Sequence, residues 1–248
     1  MLLTDFHIHS TYSDGTLTIP QIVDLFGKSG FDVICITDHL CESSSWLGKA
    51  AKVLGRTLTP DTFPGYIKTI QNEACRAWDQ YRMIVLPGYE ITKNSLSNQR
   101  SAHLLAVGST NWVSADQDIV EIAKELKSFG ALVGAAHPVN TRVMEKQTYH
   151  LWDRREELCE IIDVWEGARL NKILEPVINE RLRVFANSDL HNPRQMNAYR
   201  TLVDSERHPL AILEAVRKQK IQFFYYEQKR EFRFIHSDLF SQQEPKLA

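Results

Sequence analysis

The chain has 248 residues, of which 43% are hydrophobic and 24% are charged, and its formal net charge is -2. This length accommodates one α/β barrel, so we expect a single domain over residues 1–248 with a substantial core. No window approaches about 18 uninterrupted apolar residues, which excludes a membrane-spanning helix, and the charge excludes a globally basic nucleic-acid-binding protein. Because the first residues form an apolar strand pattern without a basic segment or a cleavage site, we expect a cytoplasmic protein.

Short β-type runs alternate with helical stretches along the chain, which is typical of repeated βα units and a mainly parallel sheet. Helices are predicted after Thr18, from Ile119 to Leu126 and from Leu210 to Val216, because apolar residues recur there at helical spacing. Seven such strands favour an α/β barrel over an open sheet. The predicted strands are Leu2 to Ile8, Asp32 to Thr37, Met83 to Glu90, His103 to Gly108, Ala131 to Ala136, Ile161 to Glu166 and Val184 to Ser188.

Two segments interrupt this alternation. Residues 41–65 are rich in Ser, Gly, Thr and Pro, and residues 92–102 carry several polar side chains. Both are predicted to be loop insertions that shape substrate access at the face of the site. The tail after Asp238 is expected to be poorly ordered.

Residues of the types that bind metals stand at or just beyond the ends of the predicted strands. A His-x-His pair at a strand end places both imidazoles on one face, so His7 and His9 can bind one ion. The carboxyl ends of the strands in an α/β barrel open on one side, so ligands far apart in sequence converge there. The full set is His7, His9, Asp14, His39, Glu90, His103, His137, Asp189 and His191.

Taken singly, several of these residues have a simpler interpretation. Asp14 fits a turn with Gly15, His103 fits a core histidine, and Asp189 fits a helix cap. The chain has nine histidines, however, and six of them belong to this set. Their joint occurrence at strand ends therefore favours a multinuclear metal site.

The order of these motifs resembles that of the PHP (polymerase and histidinol phosphatase) family, from about residue 4 to residue 191. The chain is similar to the stand-alone phosphoesterases of that family more than to the polymerase-associated domains. The resemblance implies a distorted (β/α)7, TIM-like barrel with a trinuclear metal centre at the C-terminal ends of the strands. The motifs that carry it are His7-Ile8-His9, Ser13-Asp14-Gly15, Thr37-Asp38-His39, Glu90, His103, His137-Pro138 and Ser188-Asp189-Leu190-His191.

The resemblance also implies how the ligands divide among two or three divalent ions, which we expect to be Mn, Fe or Zn. Many family members have histidine at the position of Asp14, and a carboxylate there favours a harder ion such as Mn²⁺. Glu90 would be shared between the first two ions. The implied sets are His7, His9, Glu90 and Asp189 for the first ion, Glu90, His103 and His137 for the second, and Asp14, His39 and His191 for the third.

The charge of such a site suits an anionic phosphate ester. Metal coordination lowers the pKa of bound water to about 7, so a hydroxide between the first two ions could attack phosphorus. Asp38 is expected to orient a ligand or a loop rather than to react. We expect Glu90, His191, Arg142 and Arg194 to act in catalysis, the two arginines as phosphate or leaving-group contacts, with Arg169 and Lys172 as further candidates for that contact.

The leading hypothesis is hydrolysis of a small phosphomonoester, such as a nucleotide, a nucleoside bisphosphate or a sugar phosphate. The alternatives are a phosphodiesterase or exonuclease that acts on nucleic-acid ends, an amidohydrolase that cleaves C–N bonds, and a catalytically inactive metal-binding scaffold. The complete ligand set disfavours the scaffold, and the net charge disfavours long nucleic acids. The expected partner is a small phosphorylated substrate, with no membrane and no stable nucleic-acid complex, and the oligomeric state stays open.

Overall fold

The computed structural model describes residues 1–95, 101–139 and 149–228, with the backbone alone for Tyr149. The strands in these residues are β1 Leu2–Asp5, β2 Val33–Cys35, β3 His39–Cys41, β4 Ile84–Leu86, β5 Gly88–Lys93, β6 Ala102–Val107, β7 Leu132–Ala135, β8 Val164–Arg169, β9 Lys172–Ile173, β10 Val184–Asn187, β11 Ala198–Val203 and β12 Ile221–Tyr226. The helices are α1 Ile19–Lys28, α2 Trp46–Val53, α3 Phe63–Tyr81, α4 Ile119–Ser128, α5 Tyr149–Asp153, α6 Arg155–Leu158, α7 Glu175–Asn179 and α8 Pro209–Arg217. A short 3-10 helix spans Pro193–Met196.

The strands form two mixed sheets. One sheet has the order β12-β11-β1-β2-β4, and the other has the order β10-β8-β7-β6-β5-β3, with β9 paired to β8. The expectation of a mainly parallel sheet is wrong, because β6 runs antiparallel to β5 and β7, and β11 runs antiparallel to β1 and β12. The connection from β5 to β6 contains no crossover helix among its described residues, and β6 therefore returns beside β5 in the opposite direction.

Continuing chain segments join the two sheets. The segment that contains β2 passes into β3, and the segment that contains β4 passes into β5. Beyond β1, the backbone of Ile8 forms a parallel bridge with Leu190, just beyond β10. The fold is thus α/β with mixed sheets, while closure into a seven-stranded barrel stays a prediction.

The predicted strand from Met83 to Glu90 is interrupted at Pro87, which has no N–H to donate to a sheet. The next residue, Gly88, lies against β2 and β6, since a Cβ atom there would stand 2.6 Å from Cys35 Sγ and 2.8 Å from the carbonyl oxygen of Ala106. Only glycine permits this close approach. The interruption turns the chain into β5, which carries Glu90.

The predicted helices form and bury their apolar faces. The N–H of Thr18 donates to Gln21 Oε1 at the start of α1, and Asp118 caps α4 by accepting from the N–H of Val120. Leu210 is an exception to the predicted stripe of α8, because it is 69% exposed. The residues buried on the three helices are Ile19, Ile22, Val23 and Phe26 on α1, Ile119, Ile122, Ala123 and Leu126 on α4, and Ile212, Leu213, Ala215 and Val216 on α8.

The predicted insertions are more regular than expected. Residues 41–65 contain α2 and the start of α3, and residues 92–102 include the end of β5 and the start of β6. Residues 96–100 and the tail after Asp238 lie outside the described residues. Among the residues that are described, no helix is both long enough and apolar enough to span a bilayer.

Candidate metal centre

The fold brings all of the predicted ligands to one end of the parallel strands. His7 and His9 follow β1, His137 follows β7, and Asp189 follows β10. His103 is near the start of β6, which reaches the same end because it runs in the opposite direction. Their donor atoms form four groups whose members lie within 4.8 Å of one another, namely His9, Asp14, His39 and His191; His7, His137 and Asp189; His7, His9 and Glu90; and Glu90, His103 and His137.

The ligands differ in how far they are exposed to solvent. His7, His9 and Glu90 are fully buried, whereas the side chain of Asp14 is 34% exposed and that of His191 is 25% exposed. We define two clusters on this basis and on the groups above. The inner cluster is His7, His9, Glu90, His103, His137 and Asp189, and the rim cluster is Asp14, His39 and His191.

Glu90 lies at the centre of the inner cluster. Its Oε1 is 3.6 Å from His7 Nε2, 2.9 Å from His103 Nδ1 and 3.6 Å from His137 Nε2. Its Oε2 is 3.6 Å from His9 Nε2 and 2.7 Å from His39 Nδ1. One carboxylate thus faces imidazoles from five separate positions in the sequence, which is the arrangement that a bridging ligand requires.

Asp189 occupies the other side of the same cluster. Its Oδ1 is 3.3 Å from His7 Nε2 and 3.2 Å from His9 Nε2. Donor atoms that bind one ion at about 2.1 Å each lie roughly 3 to 3.5 Å apart. The spacing between Asp189 and the two imidazoles therefore fits a shared divalent cation.

The rim cluster surrounds Asp14. Its Oδ1 is 3.3 Å from His191 Nε2, 3.5 Å from His39 Nε2 and 4.0 Å from His9 Nδ1. His39 Nδ1 also lies 2.8 Å from Thr92 Oγ1, and the N–H of His191 donates to Gln195 Oε1. Asp14 thus connects three imidazoles at the solvent-facing edge of the centre.

Several buried polar atoms of the inner cluster have no hydrogen-bond partner among the described residues. They are His7 Nε2 and both ring nitrogens of His9. Buried polar atoms are nearly always satisfied in folded proteins, and these atoms belong to residues of the groups that could hold an ion. Divalent cations bound by imidazole nitrogens and carboxylate oxygens would satisfy them, so the residues present fit a metal centre.

The opposite charges in the inner cluster act strongly on its titratable groups. Burial alone would lower the pKa of His7, but the carboxylates of Asp189 and Glu166 outweigh it and raise that pKa well above its usual range. Burial would raise the pKa of Asp189, but Arg169 and His7 hold it well below its usual range. For Glu90 the surrounding imidazoles likewise outweigh burial and hold the pKa low. The carboxylates are therefore kept in the charged form that binds cations.

In the rim cluster, burial alone would lower the pKa of His191, but Asp14 and Asp189 outweigh it and raise that pKa to about 9. His9, which lies between the two clusters, shows the opposite effect. Burial together with His39 and His191 lowers its pKa to about 3. In the protein alone, a proton thus resides at the rim rather than on His9.

Sequence reasoning missed the buried carboxylate of Glu166 on β8. Its Oε1 is 2.9 Å from His7 Nδ1, and its Oε2 accepts the backbone N–H of His137 at 2.6 Å. Glu166 was assigned only to the end of a predicted strand, because a single glutamate there carries no motif. The spatial proximity of β1, β7 and β8 is what reveals its contacts with two ligands.

Sequence reasoning also missed a buried ion pair next to the centre, between Asp5 and Arg200. Asp5 Oδ2 is 3.2 Å from Arg200 Nε, both side chains are fully buried, and Ser188 Oγ donates to the same carboxylate. Asp5 Oδ1 also accepts the backbone N–H groups of His7 and Ser188. The pair thus ties β11 to the segments that carry His7 and Asp189.

Asp38 has the orienting role expected from the sequence. It accepts the N–H and the hydroxyl of Ser10 at 2.8 and 2.6 Å, and the hydroxyl of Ser13 at 2.6 Å. These bonds hold the loop between His9 and Asp14 against the start of β3. Asp38, the residue before His39, thus holds the segment between His9 and Asp14.

The basic candidates are distributed unevenly. Arg169 contacts the Asp189 carboxylate through its guanidinium, and its side chain is 11% exposed. Lys172 and Arg194 are exposed, the first on β9 and the second in the 3-10 helix that follows His191. Arg142 lies outside the described residues. The structure thus brings Arg169 to the centre, and the roles of the other three stay predictions.

Comparisons with known proteins agree with this geometry. The PHP domain family matches residues 5–167, which is more than half of the chain. No curated protein matches the chain significantly.

Two solved structures show a similar fold. A two-domain protein from Bacteroides vulgatus that contains a predicted PHP-like metal-dependent phosphoesterase aligns with a TM-score of 0.64 at 21% identity, over 91% of this chain and 65% of that one. The chain thus spans less than two thirds of that protein. An amidohydrolase from Chromobacterium violaceum, with bound sulfate and no metal, aligns with a TM-score of 0.52 at 13% identity, over 88% of this chain and 97% of that one. With the family match over residues 5–167, these observations identify the chain as a member of the PHP domain family.

Proposed function

We propose that this protein is a metal-dependent phosphoesterase whose preferred substrate is a small phosphomonoester, such as a nucleotide, a nucleoside bisphosphate or a sugar phosphate. The observation that carries the proposal is the buried Glu90 carboxylate, which faces the imidazoles of both clusters in a chain of the PHP family. A single domain with a closed (β/α)7 barrel and a cytoplasmic location belong to the same proposal.

The centre would hold two or three divalent ions of Mn, Fe or Zn. The inner cluster offers donors for two ions that share Glu90, and the rim cluster offers donors for a third through Asp14, His39 and His191. Bound divalent ions supply a water of lowered pKa as the nucleophile and stabilise negative charge on the phosphoryl oxygens. The carboxylate at Asp14 supports Mn²⁺ at the rim.

The chain's own groups would bind and orient the phosphate. Arg169 keeps a fixed positive charge beside Asp189, where it can contact phosphoryl oxygens that approach the inner cluster. His7, His9 and Glu90 are fully buried whereas Asp14 and His191 are partly exposed, so the phosphate would approach from the side of the rim cluster. Arg142 and Arg194 remain proposed contacts for the phosphate or the leaving group.

Two other activities use similar machinery. A phosphodiesterase would act on nucleic-acid ends, but the net charge of -2 offers little attraction for long polyanions. An amidohydrolase is favoured by the fold it shares with the protein from Chromobacterium violaceum, at 13% identity. The match to the PHP family supports hydrolysis of a phosphoester over hydrolysis of an amide.

The test is a substrate panel with purified protein loaded separately with Mn²⁺, Fe²⁺ or Zn²⁺. The panel includes nucleoside bisphosphates, sugar phosphates, p-nitrophenyl phosphate, bis-p-nitrophenyl phosphate and an N-acyl amide. We expect metal-dependent turnover of a monoester, which Glu90→Gln abolishes and Asp163→Asn, a buried carboxylate outside the centre, preserves. Faster turnover of the diester or the amide, or equal turnover in Glu90→Gln, would contradict the proposal.

A further inference from the structure

Glu166, on β8, makes its contacts within a largely buried network that includes residues from the segments of β1, β7 and β10. Oε1 is 2.9 Å from His7 Nδ1 and accepts Asn187 Nδ2 at 3.0 Å, while Oε2 accepts the backbone N–H of His137 at 2.6 Å. Asn187 Oδ1 accepts the backbone N–H of Phe6 at 2.9 Å. Among the residues that the structure describes, Glu166 belongs to none of the groups that could hold an ion, although it contacts two members of the inner cluster.

The backbone donors, together with an ionised Glu166, fix the direction of the bonds in this network. The N–H of Phe6 can only donate, so Asn187 presents its oxygen to Phe6 and its NH₂ group to Glu166. The N–H of His137 can also only donate, so the second oxygen of Glu166 accepts as well. Because an ionised carboxylate can only accept, His7 Nδ1 is the donor to Oε1 when Glu166 is charged.

The consequence for His7 is a defined tautomer and a defined ring orientation. When Nδ1 carries the hydrogen, the lone pair of the neutral ring is on Nε2. That atom is 3.3 Å from Asp189 Oδ1 and 3.6 Å from Glu90 Oε1, and it has no hydrogen-bond partner among the described residues. Glu166 thus directs the free nitrogen of His7 towards the carboxylates of the inner cluster.

His137 depends on the same carboxylate in a different way. Its backbone φ is 28°, in the region that side chains with a Cβ atom rarely adopt. The bond from its N–H to Glu166 Oε2 helps to hold this conformation. The side chain is then presented towards the centre, with Nε2 3.6 Å from Glu90 Oε1.

We propose that Glu166 is a positioning residue that couples the two ion sites of the inner cluster, because one carboxylate orients a ligand of each. His7 belongs to the groups with Glu90 and with Asp189, and His137 belongs to the group with Glu90 and His103 and shares the Asp189 group with His7. The rim ligands have separate supports, such as Thr92 beside His39 and Gln195 beside His191. This inference rests on the proposed function only in requiring that the centre binds divalent ions.

Glu166→Gln tests the coupling with little change in shape. A glutamine has one accepting oxygen and an NH₂ group, so at least one of the donors from His7, Asn187 and His137 would face another donor. We expect the affinity of the inner cluster for Mn²⁺ to fall by about 10- to 100-fold at both inner sites together. In the same variant, we expect the Mn²⁺ affinity of the rim cluster to change by less than about twofold. Loss of a supporting hydrogen bond would have a larger effect.

The measurement is a Mn²⁺ titration of the full chain followed by electron paramagnetic resonance and by metal analysis after gel filtration. Two Mn²⁺ ions that share Glu90 give an exchange-coupled signal, and we expect Glu166→Gln to lose that signal while retaining the uncoupled signal of the rim ion. Asp163→Asn is the matched control, because Asp163 is a buried carboxylate that contacts the N–H of Val133 and Arg217 but no ligand. It should keep the coupled signal.

The outcomes separate the positioning role from the function. A wild-type chain that binds no Mn²⁺ would overturn the proposed function and this inference with it. If the wild-type chain binds Mn²⁺ and the Glu166→Gln variant keeps the coupled signal unchanged, the inference is overturned and the proposed function is not. Loss of the signal in both Glu166→Gln and Asp163→Asn would assign Glu166 a purely structural role and would also overturn it.

Discussion

The inner and rim clusters use the same ligand types in different surroundings. The inner cluster surrounds Glu90 in a buried space, and Glu166 supports it from β8. The rim cluster surrounds Asp14, whose side chain is 34% exposed, and a hydrogen-bonded loop held by Asp38 supports it. Two histidines near the boundary, His9 and His39, face carboxylates of both clusters.

These different surroundings would allow one site to combine tight ion binding with access for substrate. Removing charged ligands from water is costly unless opposite charges compensate them, so the buried carboxylates of the inner cluster need cations nearby. The partly exposed rim ligands keep some hydration and can exchange partners more readily. We therefore expect the inner ions to be retained and the rim ion to exchange, with substrate entering from the rim side.

The largest effect is expected from Glu90→Gln, which alters the centre shared by both clusters. Glu90 is within 3.6 Å of five imidazoles, so its loss removes the bridge of the inner cluster and a contact of His39 at the rim. We expect phosphomonoester hydrolysis to fall by at least about 10³-fold. Steady-state kinetics with metal analysis checks this prediction. If Glu90→Gln kept the inner ions and full activity, Glu90 would not bridge the inner cluster, and the contrast between the two clusters would fail.

A smaller effect is expected from Arg169→Met on the inner side. The substitution removes the positive charge that contacts Asp189 and, in the proposed function, a phosphate contact. We expect kcat/KM to fall by about 10²-fold. Arg194→Met is the matched comparison at an exposed position, where solvent screens the charge, and we expect a loss of less than about tenfold. Equal losses in both variants would contradict a special position for Arg169.

A still smaller effect is expected from Asp14→Asn, which changes the rim alone. Asp14 connects His9, His39 and His191, so the variant should lose the rim ion and keep the inner pair. We expect kcat to fall by about tenfold, with the bound metal reduced by one ion per chain. Elemental analysis with kinetics is the check, and Asp61→Asn, at an exposed loop carboxylate, is the control. Loss of every ion from Asp14→Asn would show that the two clusters are not separate.

The smallest expected effect is on the heat of metal binding, which should include the release of protons from the protein. In the protein without metal, Asp14 and Asp189 outweigh burial and raise the pKa of His191 to about 9, so this ring is protonated near neutral pH and deprotonated above that pKa. Binding an ion requires the neutral ring, so binding near pH 7.5 releases about one proton from His191. Calorimetry in two buffers of different ionisation enthalpy should show that release, and it should diminish near pH 10 or in His191→Gln. A heat that is independent of the buffer at both pH values would contradict it.

The candidate ligands that the fold brings together could be predicted from the sequence because most of them are metal-binding residue types near the ends of the predicted strands. His7 and His9 stand out as a pair, and Asp189 and His191 do so in the same way. Glu166, Asp5 and Arg200 could not be predicted as parts of the centre. Each is an isolated polar residue in an apolar strand, and its role arises only from contacts across strands that are distant in sequence.

The fold could be predicted only in part from the sequence, for a similar reason. Apolar runs and helical stripes locate β2, β7 and α4 well, because these signals are local. Strand direction is not local, and the antiparallel pairing of β6 with β5 and β7 is seen only in the assembled sheet. The β11 and β12 pair extends the sheet after the last ligand, where the repeating βα pattern predicts no antiparallel partner for β1.

The most direct test of the account is phosphate release from a monoester measured against the number of Mn²⁺ ions bound per chain. Starting from chelated protein, we expect no activity above background until both inner sites are filled, followed by a rise as the rim site fills. Glu166→Gln should shift the first phase to higher Mn²⁺ concentration, and Asp14→Asn should remove the second. Full phosphate release by the chelated, metal-free protein would contradict the account.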